Sequence, residues 1–452
     1  MSEPRFWEPA VRELVGGRDV ILAGSVPAVW VDYARELRLA GARKILVYAT
    51  EGAGLMPGPD APTVVVDQPG NRPLLERVRA SNRLISEPPP DVRRVLDEFD
   101  PHHEALVIAS FLNEAPALDE RAVLAYRRPE WVALEDKTTV DALWDRAGVA
   151  RRPSCVVPVG DAPQAATGLD EGHGTVWAGD ARDGYHGGAA LTRWVHDAAT
   201  RAAALADLTE HCDHVRVMPY IPGVACSIHA IVLPDGTAVL RPVEMVTLQH
   251  RGGLLYAGCA TFWDPPPHVR EHMRETARRT ATLLGEEVGF RGTFTVDGIA
   301  TADGFWPTEL NPRFGAGIGT LARAAAIPML LVHDLAVAGH SPGITATAFE
   351  HTVVTAADAK RGGGTWLIDR PTLAQHDARD ATFDGSAWHW AAAGASPHAT
   401  FVGGADFARC TFDPAHTPVG PSVAPRAAAF WNFVGPQLYA DLGPVSAPIG
   451  TA

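Results

Sequence analysis

The sequence predicts an α/β protein that begins with a Rossmann-like domain, and three observations along the chain support this. Residues 1–130 alternate between short apolar runs and helical patterns, which is the order that builds a parallel sheet. Residues 131–345 are rich in β-hairpin signals, and the remainder, 346–452, is rich in Ala, Gly, Pro and His. We therefore expect three domains with these boundaries, the last of them small and irregular.

Length, composition and charge narrow the class of protein. The 452 residues are 46% hydrophobic and 20% charged, which fits globular domains and excludes disorder, collagen and coiled coil. A net charge of −14 argues against nucleic acid or an anionic membrane as a partner. The N-terminus has no apolar core for a signal peptide, and no apolar run is long enough for a membrane helix. The five cysteines show no metal-ligand spacing, so we expect structural, reduced thiols in a cytoplasmic protein.

In the first region, strand and helix signals follow one another in order. Residues 19–23 form an apolar run that ends at Gly24, and no GxGxxG motif follows it, so a dinucleotide site is not expected. A helix closed by Gly41 comes next, with one apolar face made of Trp30, Tyr33, Ala34 and Leu37. Further buried strands are predicted at 44–48, 63–66 and 105–108.

In the second region, a helix is followed by two hairpins with helices between and after them. Asp136 is the predicted N-cap of a helix that ends at Gly148. The first hairpin is predicted from strands 227–233 and 237–245. A long helix that ends near Gly285 carries Val269, Met273, Ala277, Thr280 and Leu284 on one face. A last helical stretch, 320–339, is broken around Pro328.

The second hairpin, with strands 292–299 and 305–310, carries the strongest chemical signal. Residues two apart in a strand share a face, so Glu309 and Asn311 point the same way. If 302–304 is a three-residue loop with Gly304 in the left-handed conformation, Asp297 lies opposite Glu309 on that face. Two carboxylates and an amide oxygen then converge, a set that suits Mg²⁺. The alternative is a solvated hairpin with incidental acidic residues.

Residues just beyond this hairpin add to the signal. Arg313 places a fixed cation beside the acidic cluster, where it suits a phosphate or a carboxylate. Gly315, Gly317 and Gly319 allow the backbone to come close to a ligand.

The stretch 292–319 resembles the metal-binding hairpin of the ATP-grasp superfamily, whose members join a carboxylate to a nucleophile through an acyl phosphate. Residues 135–154 (EDKTTVDALWDRAGVARRPS) and 215–236 (VRVMPYIPGVACSIHAIVLPDG) resemble further segments of that family, in the same order. The resemblance covers about 130–340. It implies a pre-ATP-grasp domain, a two-lobed ATP-grasp fold and a small C-terminal domain. The three-part layout and the LEDKT sequence also resemble the pheganomycin-type peptide ligases.

The resemblance implies roles for particular residues. Lys137 stands at the position of a nucleotide-binding lysine, and the main chain of Pro219 and Ile221 would hold adenine, with Tyr220 as a wall. Trp177 and Ala178 stand where most members carry a second phosphate-binding lysine. Either Arg182 replaces it or the backbone N–H groups around three glycines hold the phosphates, namely Gly184, Gly187 and Gly188. Met218 stands where the family usually has an acidic residue at the start of the hinge, so the resemblance assigns no residue to ribose recognition.

Four further residues are weaker candidates. Arg241 and Glu244 either line the nucleotide or metal cleft or are solvated or paired elsewhere. Arg251 is a candidate for the substrate carboxylate, while His250 is expected to be a surface or core histidine. Trp388 and Trp390 are expected to pack the last domain, and the alternative is that they cover a substrate pocket.

These features together predict an ATP-dependent carboxylate–amine ligase that acts on an amino acid or peptide in natural-product biosynthesis. Two Mg²⁺ ions (or Mn²⁺) held by Asp297, Glu309 and Asn311 would bridge the ATP phosphates. Arg313 would stabilise the acyl phosphate and the oxyanion. A homodimer is expected because it is the commonest enzyme assembly. The alternatives are a bicarbonate-activating ATP-grasp carboxylase and an ATP-binding regulator without turnover.

Overall fold

A computed structural model describes residues 5–52, 55–66, 74–180, 182, 187, 189–368, 377–404, 407–439 and 442–451. The strands of these ranges form a parallel sheet, a small antiparallel sheet, a large twelve-stranded sheet and a two-stranded ribbon. The fold class is therefore the mixed α/β class that the sequence predicts.

The first region is a parallel sheet flanked by helices, as the strand–helix alternation predicts. Its strand order is β3-β2-β1-β4, and all three pairings are parallel. The predicted face of the second helix is buried. The elements are α1 (Glu8–Val15), β1 (Asp19–Gly24), α2 (Trp30–Leu39), β2 (Lys44–Ala49), β3 (Thr63–Val65), α3 (Leu74–Ser86), α4 (Pro90–Phe99), β4 (Leu106–Ala109), β5 (Ala117–Leu118), β6 (Arg121–Ala122) and α5 (Pro129–Val132).

The small antiparallel sheet follows, with strand order β7-β10-β8-β9. Its elements are α6 (Val140–Arg146), β7 (Cys155–Pro158), α7 (Ala162–Leu169), β8 (Thr175–Gly179), β9 (Thr192–Val195), α8 (Ala198–His211) and β10 (His214–Pro219). The predicted N-cap role of Asp136 is wrong. Its carboxylate accepts from the Thr138 N–H at 2.8 Å in a turn that precedes the helix, and Thr139 is the N-cap residue.

The large sheet has β16-β15-β11-β13-β14-β17-β21-β20-β18-β19 as its main strand order. Its elements are β11 (Val224–Leu233), β12 (Gly236–Val239), β13 (Val243–His250), β14 (Gly253–Ala260), α9 (Pro267–Val288), β15 (Gly292–Thr301), β16 (Gly304–Asn311), α10 (Ile318–Ala325), α11 (Met329–Val337), α12 (Ala346–Ala359), β17 (Gly363–Ile368), β18 (Asp377–Phe383), β19 (Trp388–Trp390), β20 (Ala399–Gly403), β21 (Phe407–Phe412), α13 (Ala424–Leu438) and β22 (Val445–Ser446). The single strand predicted at 237–245 is divided into β12 and β13, which both pair with β11 but in registers that differ by one residue. Pro242 lies between them and has no N–H to donate to the ladder.

The helices of this region follow their predicted faces, with shifted ends. All five apolar positions predicted for α9 are buried, but the helix ends at Gly289, whose φ is +57°, and not near Gly285. The break around Pro328 separates α10 from α11. Over the described ranges, no single helix is long and apolar enough to span a membrane, and only α10 and α11 taken together pass by length and composition, bent by 113°.

The last region is regular, which corrects the expectation of irregular structure. Its strands continue the large sheet through the pairing of β14 with β17. Helix α13 covers one face and places Trp431 and Phe430 in a core with Trp388. The Trp388 indole donates to the Arg426 carbonyl at 3.2 Å. The strands were not predicted because the region has few apolar runs longer than four residues, and in β21 only every second residue is buried.

Candidate functional site

A cleft with a cavity of about 290 Å³ lies where the small sheet faces the large one. The small sheet contributes apolar side chains at one end, among them Val176 and Met218. The large sheet contributes apolar side chains such as Met245 and Leu254, and also the polar and charged side chains at the other end. The loop after β16 forms part of the wall. The cleft is therefore apolar at one end and charged at the other.

The charged end is a grid of side chains on three neighbouring strands, β11, β15 and β16. One row, here called the carboxylate row, contains Ser227, Asp297 and Glu309, which are paired directly across the strands. The next row contains His229, Thr295 and Asn311. The predicted pairing of Asp297 with Glu309 is thus confirmed.

The route to this pairing differs from the prediction. Thr301 pairs with Gly304, so the turn has two residues and not three. A β-bulge between Asp297 and Gly298 then shifts the register by one residue, because Thr308 has no partner of its own. The bulge compensates for the shorter turn and brings Glu309 back opposite Asp297.

The carboxylate row is tightly bonded. The Ser227 hydroxyl donates to Asp297 Oδ1 at 2.5 Å, and Asn311 Nδ2 donates to Asp297 Oδ2 at 2.8 Å. Lys137 Nζ lies 3.2 Å from Glu309 Oε1 and is only 4% exposed. Burial, and then the charge of Glu309, raise the pKa of Asp297 above its ordinary value.

These residues fit a hard divalent cation. The donors are oxygens, and a bound cation would offset both the burial and the repulsion from Glu309 that raise the pKa of Asp297. The Asn311 side-chain oxygen Oδ1 accepts from Arg313 Nη2 at 2.7 Å and keeps a second lone pair. Within the described ranges, no cluster of three or more His, Cys, Asp and Glu residues could hold a metal, so the candidate set depends on the amide oxygen.

Arg313 is held in place from behind by a residue to which the sequence analysis gave no role. Its Nε donates to Glu135 Oε1 at 3.0 Å, and Arg127 donates to the same oxygen at 2.5 Å. Glu135 lies two residues before Lys137, so one short segment supplies both a partner of Arg313 and a partner of Glu309. This spacing of two residues from Lys137 was the one feature of the sequence that could have indicated a role for Glu135.

His229 is the other residue that sequence reasoning missed. Its Nδ1 lies 2.8 Å from Thr295 Oγ1, while Nε2 is buried and has no hydrogen-bond partner among the described residues. Burial lowers the pKa of His229 to about 3, so the imidazole is neutral at pH 7. Its position two residues after Ser227, on the same strand face, was the only signal in the sequence.

The apolar end contains the residues predicted to hold adenine. Pro219, Tyr220 and Ile221 all line the cleft. The ring centroids of Trp194 and Tyr220 lie 4.8 Å apart, so Trp194 packs beside this wall. Ala178 also lines the cleft, whereas Trp177 is fully buried on the other face of β8. The position at which a second lysine was expected therefore faces the cleft and carries only a methyl group.

The remaining predicted residues lie elsewhere or outside the described ranges. Arg182 donates to Asp213 at 3.2 Å and does not line the cleft as described. Arg251 lies in the turn after β13 with φ +49°, also outside the described lining. Of the loop glycines, Gly187 accepts from the Ala190 N–H at 3.2 Å, while Gly184 and Gly188 fall outside the described residues. Their ligand roles stay predictions.

Arg241 and Glu244 belong to the interior and not to the cleft, which corrects the first reading of both. The Arg241 guanidinium is buried and paired with Asp358, at 2.8 Å, and with Asp264. The buried Glu244 carboxylate accepts from the Ser422 hydroxyl at 2.6 Å and from the N–H groups that begin α13. Both were candidates because they are charged residues in a predicted strand. In the folded chain their charges bind groups from distant parts of the sequence and not a ligand.

The chain has the ATP-grasp fold, as solved structures with similar folds show. Biotin carboxylase from Campylobacter jejuni is 11% identical with a TM-score of 0.56, covering 96% of this chain and 92% of that one. The biotin carboxylase domain of Hydrogenobacter thermophilus 2-oxoglutarate carboxylase is 12% identical with a TM-score of 0.55, covering 88% and 86%. L-amino acid ligase from Bacillus licheniformis is 13% identical with a TM-score of 0.53, covering 94% and 98%. The sequence matches no family model and no curated protein.

Proposed function

We propose that this protein is an ATP-dependent ligase that joins a carboxylate to an amine through an acyl phosphate, releasing ADP and phosphate. The observation that carries the proposal is the charged end of the cleft. There the Asp297–Glu309 pair lies beside two cations, Lys137 and Arg313. An apolar wall at the opposite end of the same cleft suits a nucleobase. The ligase and carboxylase folds described above are compatible with this chemistry.

The chain's own residues divide the work of binding. Tyr220 and the main chain of Pro219 and Ile221 hold the base, with the Pro219 carbonyl as an acceptor for the adenine amine. Lys137 lies at the charged end, where an ammonium group can contact a phosphate oxygen. Asp297, Glu309 and Asn311 would hold two Mg²⁺ ions, which neutralise charge on the phosphates when bound. The backbone N–H groups of the 184–188 loop are proposed to supplement Lys137.

The reaction has two steps, and the atoms balance in each. In the first, a carboxylate oxygen of the acid attacks the γ-phosphorus, the bond from that phosphorus to the bridging oxygen breaks, and ADP leaves. In the second, the amine attacks the acyl carbon, the bond to the phosphate oxygen breaks, and phosphate leaves as the amine loses a proton to solvent. Attack by the amine places a negative charge on the oxygen of the acyl group, and Arg313 stabilises this oxyanion. Glu135 and Asn311 hold the guanidinium in position for this role.

The finer assignment is a pheganomycin-type peptide ligase of natural-product biosynthesis, acting on amino acids or peptides and forming a homodimer. The three-part layout and the LEDKT sequence support it.

A phosphate-release assay tests the proposal. With MgATP, release should require both a carboxylic acid and an amine, drawn from pooled amino acids and peptides. Release that depends on bicarbonate alone would indicate a carboxylase, and tight ATP binding without release would indicate a regulator. Mass spectrometry of the product would identify the new amide bond.

A further inference from the structure

A segment from the last region, residues 445–451 and here called the strap, runs along the apolar end of the cleft. It begins as β22, which pairs with β13 through His250–Val445 and Gln249–Ser446. Three residues after Val445, Pro448 becomes part of the cleft lining. The strap is therefore a wall of the cleft that comes from a part of the chain distant in sequence.

The strap holds the backbone of the hinge loop (220–223), which carries part of the adenine-binding residues of the proposed function. The Gly223 N–H donates to the Ile449 carbonyl at 3.1 Å. Gly450 packs so closely that a Cβ on it would lie 2.7 Å from the Gly223 nitrogen and 2.8 Å from the Pro222 carbonyl carbon. The Thr451 hydroxyl donates to the Pro448 carbonyl at 2.7 Å and closes the strap on itself. Strap and hinge loop are thus in direct backbone contact.

The strap also lies beside the aromatic wall. Burial raises the pKa of Tyr220, and the nearby Ile449 backbone and Gln249 side chain oppose that rise. The Ser446 hydroxyl in turn donates to Gln249 Oε1 at 3.1 Å. The strap therefore comes close to the Tyr220 hydroxyl at Ile449 and contacts Gln249, the second neighbour of that hydroxyl.

Helix α13 anchors the strap to the last region of the fold. Asn432 Nδ2 donates to the Val445 carbonyl at 2.8 Å, and the Val445 N–H donates back to Asn432 Oδ1 at 2.9 Å. His250 Nε2 contacts the Leu442 carbonyl just before the strap. The position of the strap therefore depends on how this region packs against the large sheet.

We infer that the strap is a positioning element for the nucleobase of the ATP. Pro448 supplies an apolar wall, and the Ile449 carbonyl and Gly450 fix the backbone of the hinge loop that the base contacts. A loop held in its binding geometry before the ligand arrives loses less conformational freedom on binding, which favours affinity. This inference rests on the proposed function for the identity of the ligand.

Two matched glycine variants test the strap. Gly450 and Gly443 both have positive φ, +83° and +69°, so alanine strains the backbone at either position. At Gly450 the added Cβ also strikes the hinge loop, whereas at Gly443 no atom of the described residues lies within 4 Å of it. Gly450→Ala should raise the Kd for MgATP about tenfold by isothermal titration calorimetry, the effect of losing a pre-formed contact. Gly443→Ala should change it by less than about twofold.

Hydrogen exchange on the protein without nucleotide separates failure of the strap from failure of the proposed function. Gly450→Ala should speed exchange in the peptide 220–224, where the Gly223 N–H loses its acceptor, and Gly443→Ala should not. If Gly450→Ala fails to fold, Thr451→Val gives the same test in a milder form, with a rise in Kd of about threefold, as expected for one lost hydrogen bond. Equal exchange in the two glycine variants overturns the strap. If the wild type binds no ATP but Gly450→Ala still exchanges faster in this peptide, the strap is supported as an anchor of the hinge loop. Only the assignment of a nucleotide to the cleft is then overturned.

Discussion

At the scale of single residues, the charged end of the cleft is an arrangement of opposed charges. Asp297 and Glu309 face each other, and Lys137 and Arg313 lie against them with little access to water. A buried lysine needs such a partner because an unpaired charge in the interior is costly. Removing one charge from this group therefore changes the electrostatics of the whole set, which makes conservative substitutions informative.

Glu309→Gln keeps the size of the side chain and removes one negative charge. Under the proposed function, kcat should fall by at least about a hundredfold, comparable to the loss of other electrostatic contributions to a transition state. The free energy of unfolding should change little, because relief of the repulsion with Asp297 offsets the weakened contact with Lys137. Phosphate release and thermal melting measure the two effects. Asp303→Asn, in the exposed turn of the same hairpin, is the control, and equal behaviour of the two variants would count against a metal site.

Lys137→Ala should raise the KM for ATP about tenfold or more, because one charge-assisted hydrogen bond to a phosphate oxygen is lost. The matched control is Lys360→Ala at the exposed end of α12. Steady-state kinetics at varied ATP concentration measure both variants. An unchanged KM for Lys137→Ala would assign this lysine to the support of Glu309 alone.

At the scale of elements, the β15–β16 hairpin sets the geometry of the site through its bulge. The two-residue turn alone would place Glu309 out of register with Asp297, and the bulge at Gly298 corrects this. Gly298 is required there because a Cβ would lie 2.4 Å from the Trp306 carbonyl oxygen and 2.6 Å from the Phe305 ring. Gly298 has no side chain that could contact a ligand, but it sets the position of the two carboxylates.

Gly298→Ala should therefore lower both stability and activity. We expect a loss of about 2–3 kcal/mol in the free energy of unfolding, as for other overpacked sites. A fall of at least about tenfold in kcat/KM should accompany it, because the carboxylates are displaced. Urea unfolding and phosphate release are the measurements. Gly285→Ala, on the exposed side of α9 where no described atom lies within 4 Å of the new Cβ, should instead stabilise the protein slightly. Normal activity in a folded Gly298→Ala protein would show that the bulge does not set the register.

At the scale of the whole molecule, the last region is joined to the large sheet by buried polar contacts as well as by strand pairing. Glu244 on β13 accepts from the Val423 and Ala424 N–H groups at the start of α13. Tyr33 in the first region similarly donates to Asp334 on α11 at 2.6 Å. These contacts connect parts of the chain that are far apart in sequence, so their ionisation affects how the parts stay together.

Glu244 predicts a specific pH dependence of stability. Burial raises its pKa from 4.5 to about 7, against the opposing effect of its hydrogen bonds. The folded state then binds more protons than the unfolded state between these values, so stability falls as pH rises through this window. Relative to Glu244→Gln, the wild type should lose up to about 3 kcal/mol between pH 4.5 and 7. Urea unfolding of both proteins at several pH values measures this difference. Because the other buried acids are present in both proteins, their contributions cancel in the comparison. Parallel profiles for the two proteins would show that folding does not shift the pKa of Glu244.

Much of the site could be predicted because its chemistry is concentrated in short segments. Asp297, Glu309, Asn311 and Arg313 lie within one hairpin and its exit, where a period of two fixes which side chains share a face. Their register was predicted correctly from a turn of the wrong length, since nothing in the sequence announces a bulge. Glu135 and His229 were missed because each matters only through a partner supplied by another strand or loop.

The sequence by itself determined the strand–helix order, the parallel first sheet, the faces of the long helices and the hairpin with its acidic pair. Local periodicity and turn chemistry suffice for these features, because they act over a few residues. Only the tertiary structure decided the fate of Arg241 and Glu244, the continuation of the large sheet into the last region and the passage of the strap along the cleft. Each depends on which distant groups meet. The local sequence around a charged residue in a strand is the same whether the residue faces a ligand or a partner more than a hundred residues away.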